Sequence, residues 1–313
     1  MTELLRTPPV QASAALRYDV ASAQCRGDRE RQEDALAVSC PDGADFGFAV
    51  VSDGMGGHAA GDLASRIIVA EIFAELILRG RGPLGEAAEL SALLNDAVHT
   101  ANASLRAQID ACPEQAGMGG TVVATALVDG GLQWVSVGDS VLYLLREGRI
   151  ERLNDDHSMA PEIDLMAARG MIDAEAARTH PQRNFLTSAL TGQDIPEVDC
   201  PVGRFDLRDG DILLIASDGL QTLSDARIAE IVGERARDES RAIAVALIDA
   251  VTACGQPEQD NTSVVVLKVE APDAAPAPGA QPVEDAKQSA WSALAMAFRR
   301  PPMPAEASAK SRG

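Results

Sequence analysis

Several residue types are scarce in this 313-residue chain, and each shortage closes off a class of protein. Only four histidines occur, none at metal-ligand spacing, which leaves no zinc site of the usual kind. The five cysteines (Cys25, Cys40, Cys112, Cys200 and Cys254) are odd in number, widely spaced and form no CxxC. They read as reduced thiols and exclude a disulfide framework. Lysine and arginine total 27 against 47 aspartates and glutamates, a formal charge of −20. That balance argues against nucleic acid or an anionic membrane as the main partner, and it suits sites that collect cations. No stretch of about 18 apolar residues is present, so no membrane span is expected. The opening MTELLRTPPVQ lacks a basic region followed by an apolar core, so no signal peptide is expected either. Aromatics make up 3% of a chain that is 46% hydrophobic, so aliphatics and alanine must fill its core. The expectation is a soluble cytoplasmic protein.

What is present is a succession of short apolar runs. Residues 1–16 read as a loose leader, and strand-like alternation begins near Tyr18. An apolar run ends near Ser52, and helical periodicity follows Gly61 (Ile67, Ile68, Ile72, Leu76) and covers Leu90–Ile109. From Thr121 to Leu153, apolar runs are separated by Asp129-Gly130-Gly131 and by Glu147-Gly148, hairpin signals that predict one antiparallel meander. A strand is expected over Asp211–Ser217, helices over Asp225–Gly233 and Ser240–Cys254, and a last strand over Ser263–Val269. Helices in pairs and strands in antiparallel runs predict a layered α+β architecture, not a parallel βαβ sheet. After Glu270 comes APDAAPAPGAQP, an Ala/Pro linker without a core-forming pattern. The domain is therefore expected over 17–270 and a linker with a disordered tail over 271–313. Within that tail Trp291, Leu294 and Phe298 share a helical spacing that suits a short docking helix.

The stretch VVSDGMGGHAAG, Val50–Gly61, puts one aspartate where an apolar run meets a glycine-rich loop. Gly54-Met55-Gly56-Gly57-His58-Ala59 fits a dinucleotide fingerprint. Asp53 argues against that reading, since it would face the pyrophosphate, and the antiparallel run at 121–153 is foreign to that fold. Asp53 also has company. A second SDG contains Asp218, a GDS contains Asp139, and Asp260-Asn261 precedes the last strand. One aspartate at a strand end is usually a turn former. Four such aspartates with small neighbours point to hard divalent cations, magnesium or manganese, which take oxygen ligands.

The motifs RERQEDA, SDGMGGHAAG, GMGGT, VGDS, DDHS, HPQRNFLTSALTG, ASDGL and QDNTSVVV, in that order, resemble the bacterial metal-dependent serine/threonine protein phosphatases of type 2C. The resemblance covers Tyr18 to about Val269. It implies a four-layer α-β-β-α sandwich of two antiparallel sheets flanked by helix pairs, with a flap insertion over about 158–190. It further implies two or three Mg²⁺ or Mn²⁺ ions. Asp53 would bridge two of them, the Gly54 carbonyl would bind one, and Asp218 and Asp260 would hold the other. Asp139, with Asp218, matches a third and weaker site. Glu33 and Asp34 would orient metal-bound waters, and Arg29 would grip the substrate phosphate.

Several positions depart from the family's pattern. Gln32 stands in place of an asparagine, Gly120 in place of a threonine, Val141 in place of an arginine, and Met55 where some members carry a histidine acid. His58 is then the nearest histidine; His157 reads as structural, Arg31 as a solvated charge, and Arg183 as a candidate substrate contact. The expected function is hydrolysis of phosphoserine and phosphothreonine on proteins, by a monomer that opposes a serine/threonine kinase. The substrate could instead be one regulatory phosphoprotein. The reading from a different class is a catalytically silent binding module of the same fold.

Overall fold

The computed structural model describes residues 16–41, 46–56, 60–79 and 87–271. The chain opens with β1 (Arg17–Cys25), β2 (Asp34–Ser39) and β3 (Phe46–Met55). Two long helices follow, α1 (Ala60–Arg79) and α2 (Ala87–Ala111). Next come β4 (Gly119–Gly120), β5 (Val122–Val128), β6 (Gly131–Val137), β7 (Val141–Arg146) and β8 (Arg149–Arg152). Helices α3 (Ala160–Ala168) and α4 (Ala174–Arg178) belong to the insertion. The remainder is β9 (Phe205–Asp206), β10 (Ile212–Ala216), α5 (Asp225–Glu234), α6 (Ser240–Ala253) and β11 (Thr262–Glu270).

Among the described residues all strand pairs are antiparallel, in two sheets ordered β1-β11-β10-β7-β8 and β2-β3-β5-β6-β9, with β4 pairing β3 off that path. The period of two along β3 shows how the layers arise. Phe48 and Val50 pack in one core with Ile68, Ile72 and Leu76 of α1 and Leu94 of α2. Ala49 and Val51 face the opposite way, into a core shared with Leu142, Leu213, Ile215 and Val265 of the other sheet. That second sheet turns Leu214, Val264 and Val266 toward Ile228 of α5 and Leu247 of α6. Three stacked cores make four layers, helix, sheet, sheet, helix, as expected. Aliphatic side chains supply most of the packing, and Phe48 with Phe73 forms an edge-on aromatic pair at 5.0 Å. Among the described residues no helix is long and apolar enough to cross a membrane.

Two expectations need correction. The strand does not end with the apolar run near Ser52: β3 continues to Met55, because Asp53 pairs with Asp34 of β2 and Gly54 with Gly120 of β4. Nor is 121–153 a single meander. Asp129 and Gly130 (φ 50° and 76°) close the β5–β6 hairpin, and Glu147 and Gly148 (φ 52° and 77°) close β7–β8, each with the backbone hand such turns require. Between the hairpins, however, the chain leaves one sheet for the other. Gly138 turns it at φ 104°, where a Cβ would collide with the Thr121 side chain. The hairpin signals in the sequence are the same whether the two hairpins share a sheet or not. Residues 1–15 and 272–313, including Trp291, Leu294 and Phe298, lie outside the described residues, as does His58.

Candidate active site

Asp53 and Asp34 stand side by side because β3 and β2 pair them directly. Asp34 is almost fully buried, and its Oδ2 accepts hydrogen bonds from Ser217 Oγ (2.8 Å) and Ser263 Oγ (2.7 Å). Ser217 directly follows β10 and Ser263 lies at the start of β11, so the carboxylate ties the two sheets together at the ends of their strands. Burial raises the Asp34 carboxyl to about 6. The Asp53 backbone is fixed by Thr121, whose N–H donates to Asp53 C=O (2.9 Å) and whose Oγ1 accepts from Asp53 N–H (3.1 Å). Burial raises the Asp53 carboxyl well above the ordinary range, and the charges of Asp218, Asp34, Asp139 and Asp260 push it in the same direction. Asp218 opens a short 3-10 turn after β10. Burial and then the charges of Asp139, Asp260 and Asp34 raise it to about 8.

The crossing after β6 delivers Asp139 to the same place. Asp139 is raised to about 6 by burial and by Asp156, with Arg152 working against the shift. Gly120 has no room for a side chain: a Cβ there would lie 2.7 Å from Asp53 C=O. Gly61 matters similarly. A Cβ at 61 would lie 2.7 Å from the Gly54 carbonyl oxygen and 3.0 Å from the Glu33 carboxyl carbon, so its absence leaves both groups open. Glu33 is also raised, by burial first.

The loop carrying Arg29 and Glu33 is latched by Asn261, a role that the sequence reading missed. Asn261 Oδ1 accepts from Glu33 N–H (2.7 Å), and its Nδ2 donates to Arg26 C=O (2.7 Å) and Arg31 C=O (2.9 Å). Arg29 does not point freely outward; its Nη2 lies 2.6 Å from Asp260 Oδ2. Arg183 is likewise committed, with two bonds to Asp164 (2.6 and 2.8 Å). His157, expected to be structural, is buried, its Nδ1 accepts from Gly138 N–H (3.1 Å), and its C=O accepts from Thr187 N–H (2.9 Å).

Asp53, Asp139 and Asp218 sit on the floor of a cavity of about 650 Å³. Its walls are Met55, Thr121 and the insertion's return segment Asn184–Ala189, with Pro196. Among the described residues, no three acidic, histidine or cysteine side chains already close on one point as metal ligands do. A magnesium-like ion does not need three, since it binds through one or two carboxylates and keeps several waters. The floor fits such ions on its own chemistry. Asp34 Oδ1 and Asp218 Oδ1 are buried without a hydrogen-bond partner, and the neighbouring carboxylates repel one another.

A two-sheet sandwich flanked by helices, with aspartates gathered where the sheets' strands end, defines a class. Residues 22–268 match the protein phosphatase 2C family model, and the chain belongs to that family. The serine/threonine protein phosphatase PstP of Mycobacterium tuberculosis is 36% identical over 222 residues, which cover 70% of this chain and 40% of PstP. The chain thus spans about two fifths of that relative's length. The serine/threonine phosphatase stp of Listeria welshimeri is 31% identical over 221 residues, 71% of this chain and 84% of its own. The crystal structure of M. tuberculosis PstP/Ppp matches with a TM-score of 0.68 at 32% identity, covering 82% of this chain and 100% of that one. A structure of the PstP catalytic domain in complex with two manganese ions matches at 0.66 and 31% identity, over 82% and 99% of the two chains.

Proposed function

We propose that this protein hydrolyses phosphoserine and phosphothreonine esters on proteins with the help of Mg²⁺ or Mn²⁺, and so opposes a serine/threonine kinase. The observation that carries the reading is the convergence of Asp53, Asp139 and Asp218 on the floor of one cavity, with the Asp218 Oδ1 unpartnered. Asp53, the Gly54 carbonyl, Asp218 and Asp260 would hold a pair of ions, and Asp139 with Asp218 a third. When bound, such ions supply positive charge to the phosphoryl oxygens and make a water acidic near neutral pH.

The remaining work falls to the chain's own residues. Asp34, anchored by two serine hydroxyls, and Glu33, anchored through Asn261, orient water beside Asp53. Arg29, paired with Asp260, has a fork-shaped guanidinium that suits a phosphate. Among the described residues no Ser-His or Cys-His pair lines the cavity, and direct attack by water needs none. A silent binding module has no use for a floor of mutually repelling carboxylates. We place this activity in residues 17–270 of a cytoplasmic protein. Hydrolysis of a phosphothreonine peptide with Mn²⁺, and its loss with EDTA, tests the reading. Asp53→Asn should lower turnover by about 10³-fold or more. Turnover undiminished by exhaustive chelation would end the metal-dependent reading, and a mutant with over about a tenth of the wild-type rate would remove Asp53 from the bridging role.

A further inference from the structure

The insertion's return segment carries features that neither the fold nor the carboxylate floor uses. Its residues 185–187 are tied on one side only: Met159 N–H donates to Phe185 C=O (2.9 Å) and Thr187 N–H to His157 C=O (2.9 Å). This is the pattern around a non-hydrogen-bonded antiparallel pair, here Ser158 with Leu186. It turns the N–H and C=O of Leu186 away from the 157–159 strand. Among the described residues neither group has a hydrogen-bond partner. Next to it Phe185 is 59% exposed although its backbone is pinned at both ends, since its N–H also donates to Gln182 C=O (3.0 Å). Its side chain offers apolar surface that a partner's apolar side chain can cover. Both residues line the cavity whose floor is Asp53, Asp139 and Asp218, together with the apolar Met55 and Pro196.

We propose that this segment seats the substrate as an extended chain. The Leu186 N–H and C=O pair with the backbone of a residue near the phosphorylated one, and the Phe185 ring covers an apolar side chain that flanks it. The inference rests on the phosphatase reading, and it names the substrate class: unfolded or loop segments with an apolar neighbour to the phosphorylated residue. A helical segment does not fit, because its backbone groups are spent internally, whereas an extended one offers them in pairs. Position by continuity favours this occupant, since a phosphorylated side chain reaching the carboxylate floor brings its own backbone to the cavity wall.

The experiment uses the full chain with Mn²⁺, p-nitrophenyl phosphate as the small substrate, and phosphothreonine peptides in two series. One series varies the flanking residue between leucine and aspartate, and the other N-methylates one backbone position at a time. Expected are a kcat/KM ratio of about tenfold for leucine over aspartate, and a single N-methyl position that raises KM by about tenfold. Phe185→Ala should bring the flank ratio close to one. A flat N-methyl scan with no flank preference, in a protein that hydrolyses p-nitrophenyl phosphate, overturns this inference and leaves the phosphatase reading intact. Failure to hydrolyse both p-nitrophenyl phosphate and the phosphothreonine peptides overturns the phosphatase reading, and this inference with it.

Discussion

Arg29 Nη2 lies 2.6 Å from Asp260 Oδ2, so the cation proposed for the substrate phosphate already neutralises a carboxylate proposed for a metal ion. Both side chains are substantially exposed, so the pair adds little to stability. Its consequence is competition for Asp260. Arg29→Gln should melt with the wild type, bind Mn²⁺ more tightly in a calorimetric titration, and show a raised KM for phosphopeptide. Weaker Mn²⁺ binding by the variant would mean that Arg29 supports the metal site and does not compete with it.

The crowded floor makes the metal-free protein sensitive to pH in a defined direction. Asp34 and Asp139 are raised to about 6 and Asp218 to about 8, all above their unfolded values near 4. Groups with raised folded pKa values contribute stability that is fully present below the unfolded pKa and lost as pH climbs through the folded one. In EDTA, the melting temperature should therefore fall between about pH 5 and pH 8. With Mn²⁺ present the ions replace the protons, and the decline should flatten or reverse. Thermal melts at three pH values, with and without chelator, decide it; a metal-free protein that gains stability over that range would contradict the crowding.

How legible was this from sequence? Asp53, Asp139, Asp218 and Asp260 stood out because each follows or precedes an apolar run beside small residues, a local feature. The layered fold was legible for the same reason, through period two in the strands and helical spacing in α1 and α2. The sheet crossing at Gly138 was not, because hairpin signals describe the turn inside each hairpin and say nothing about which sheet receives the next one. Asn261 was missed because its partners Glu33, Arg26 and Arg31 lie more than 200 residues away in sequence. The pairing of Arg29 with Asp260 was hidden in the same way. The anchoring of Asp34 by Ser217 and Ser263 also needs the two sheets to meet, although the serines sit in the ASDGL and QDNTSVVV motifs.

Asn261 offers a test of whether the loop at 26–33 must be held for the site to work. Its buried side chain makes three hydrogen bonds to backbone groups of that loop, none of them to an ionised partner. Asn261→Ala strands the Glu33 N–H and two carbonyls, at a cost of about 2 kcal/mol or more. Turnover per folded molecule should fall as well, because Glu33 and Arg29 lose their fixed position. A melt paired with peptide kinetics separates the two effects. Normal turnover in a destabilised variant would make the latch purely structural.

Asp139 is where a turn-forming role and a ligand role diverge most clearly. The crossing that carries it is held by other groups: Gly138 N–H on His157 Nδ1, Arg152 Nη2 on Asp139 C=O (3.0 Å), Asn154 Nδ2 on Ser140 C=O (2.9 Å), and Ser140 Oγ with Thr121 Oγ1 (2.7 Å). Its carboxylate accepts a hydrogen bond from no other described residue, so the turn does not need it. What the carboxylate does is raise the pKa of Asp218, for which it is the largest charge effect after burial. Removing it relieves like-charge repulsion without unpicking the crossing. Asp139→Ala should therefore melt within a few degrees of wild type, or higher in EDTA at pH 8, where the repulsion is strongest. It should still bind two Mn²⁺ ions through Asp53, Asp218 and Asp260, yet lose most peptide turnover, and excess Mn²⁺ should restore little because the ligand itself is gone. Calorimetric titration, melts and kinetics on the one variant check all three expectations. A strongly destabilised Asp139→Ala with normal turnover would return the residue to the turn.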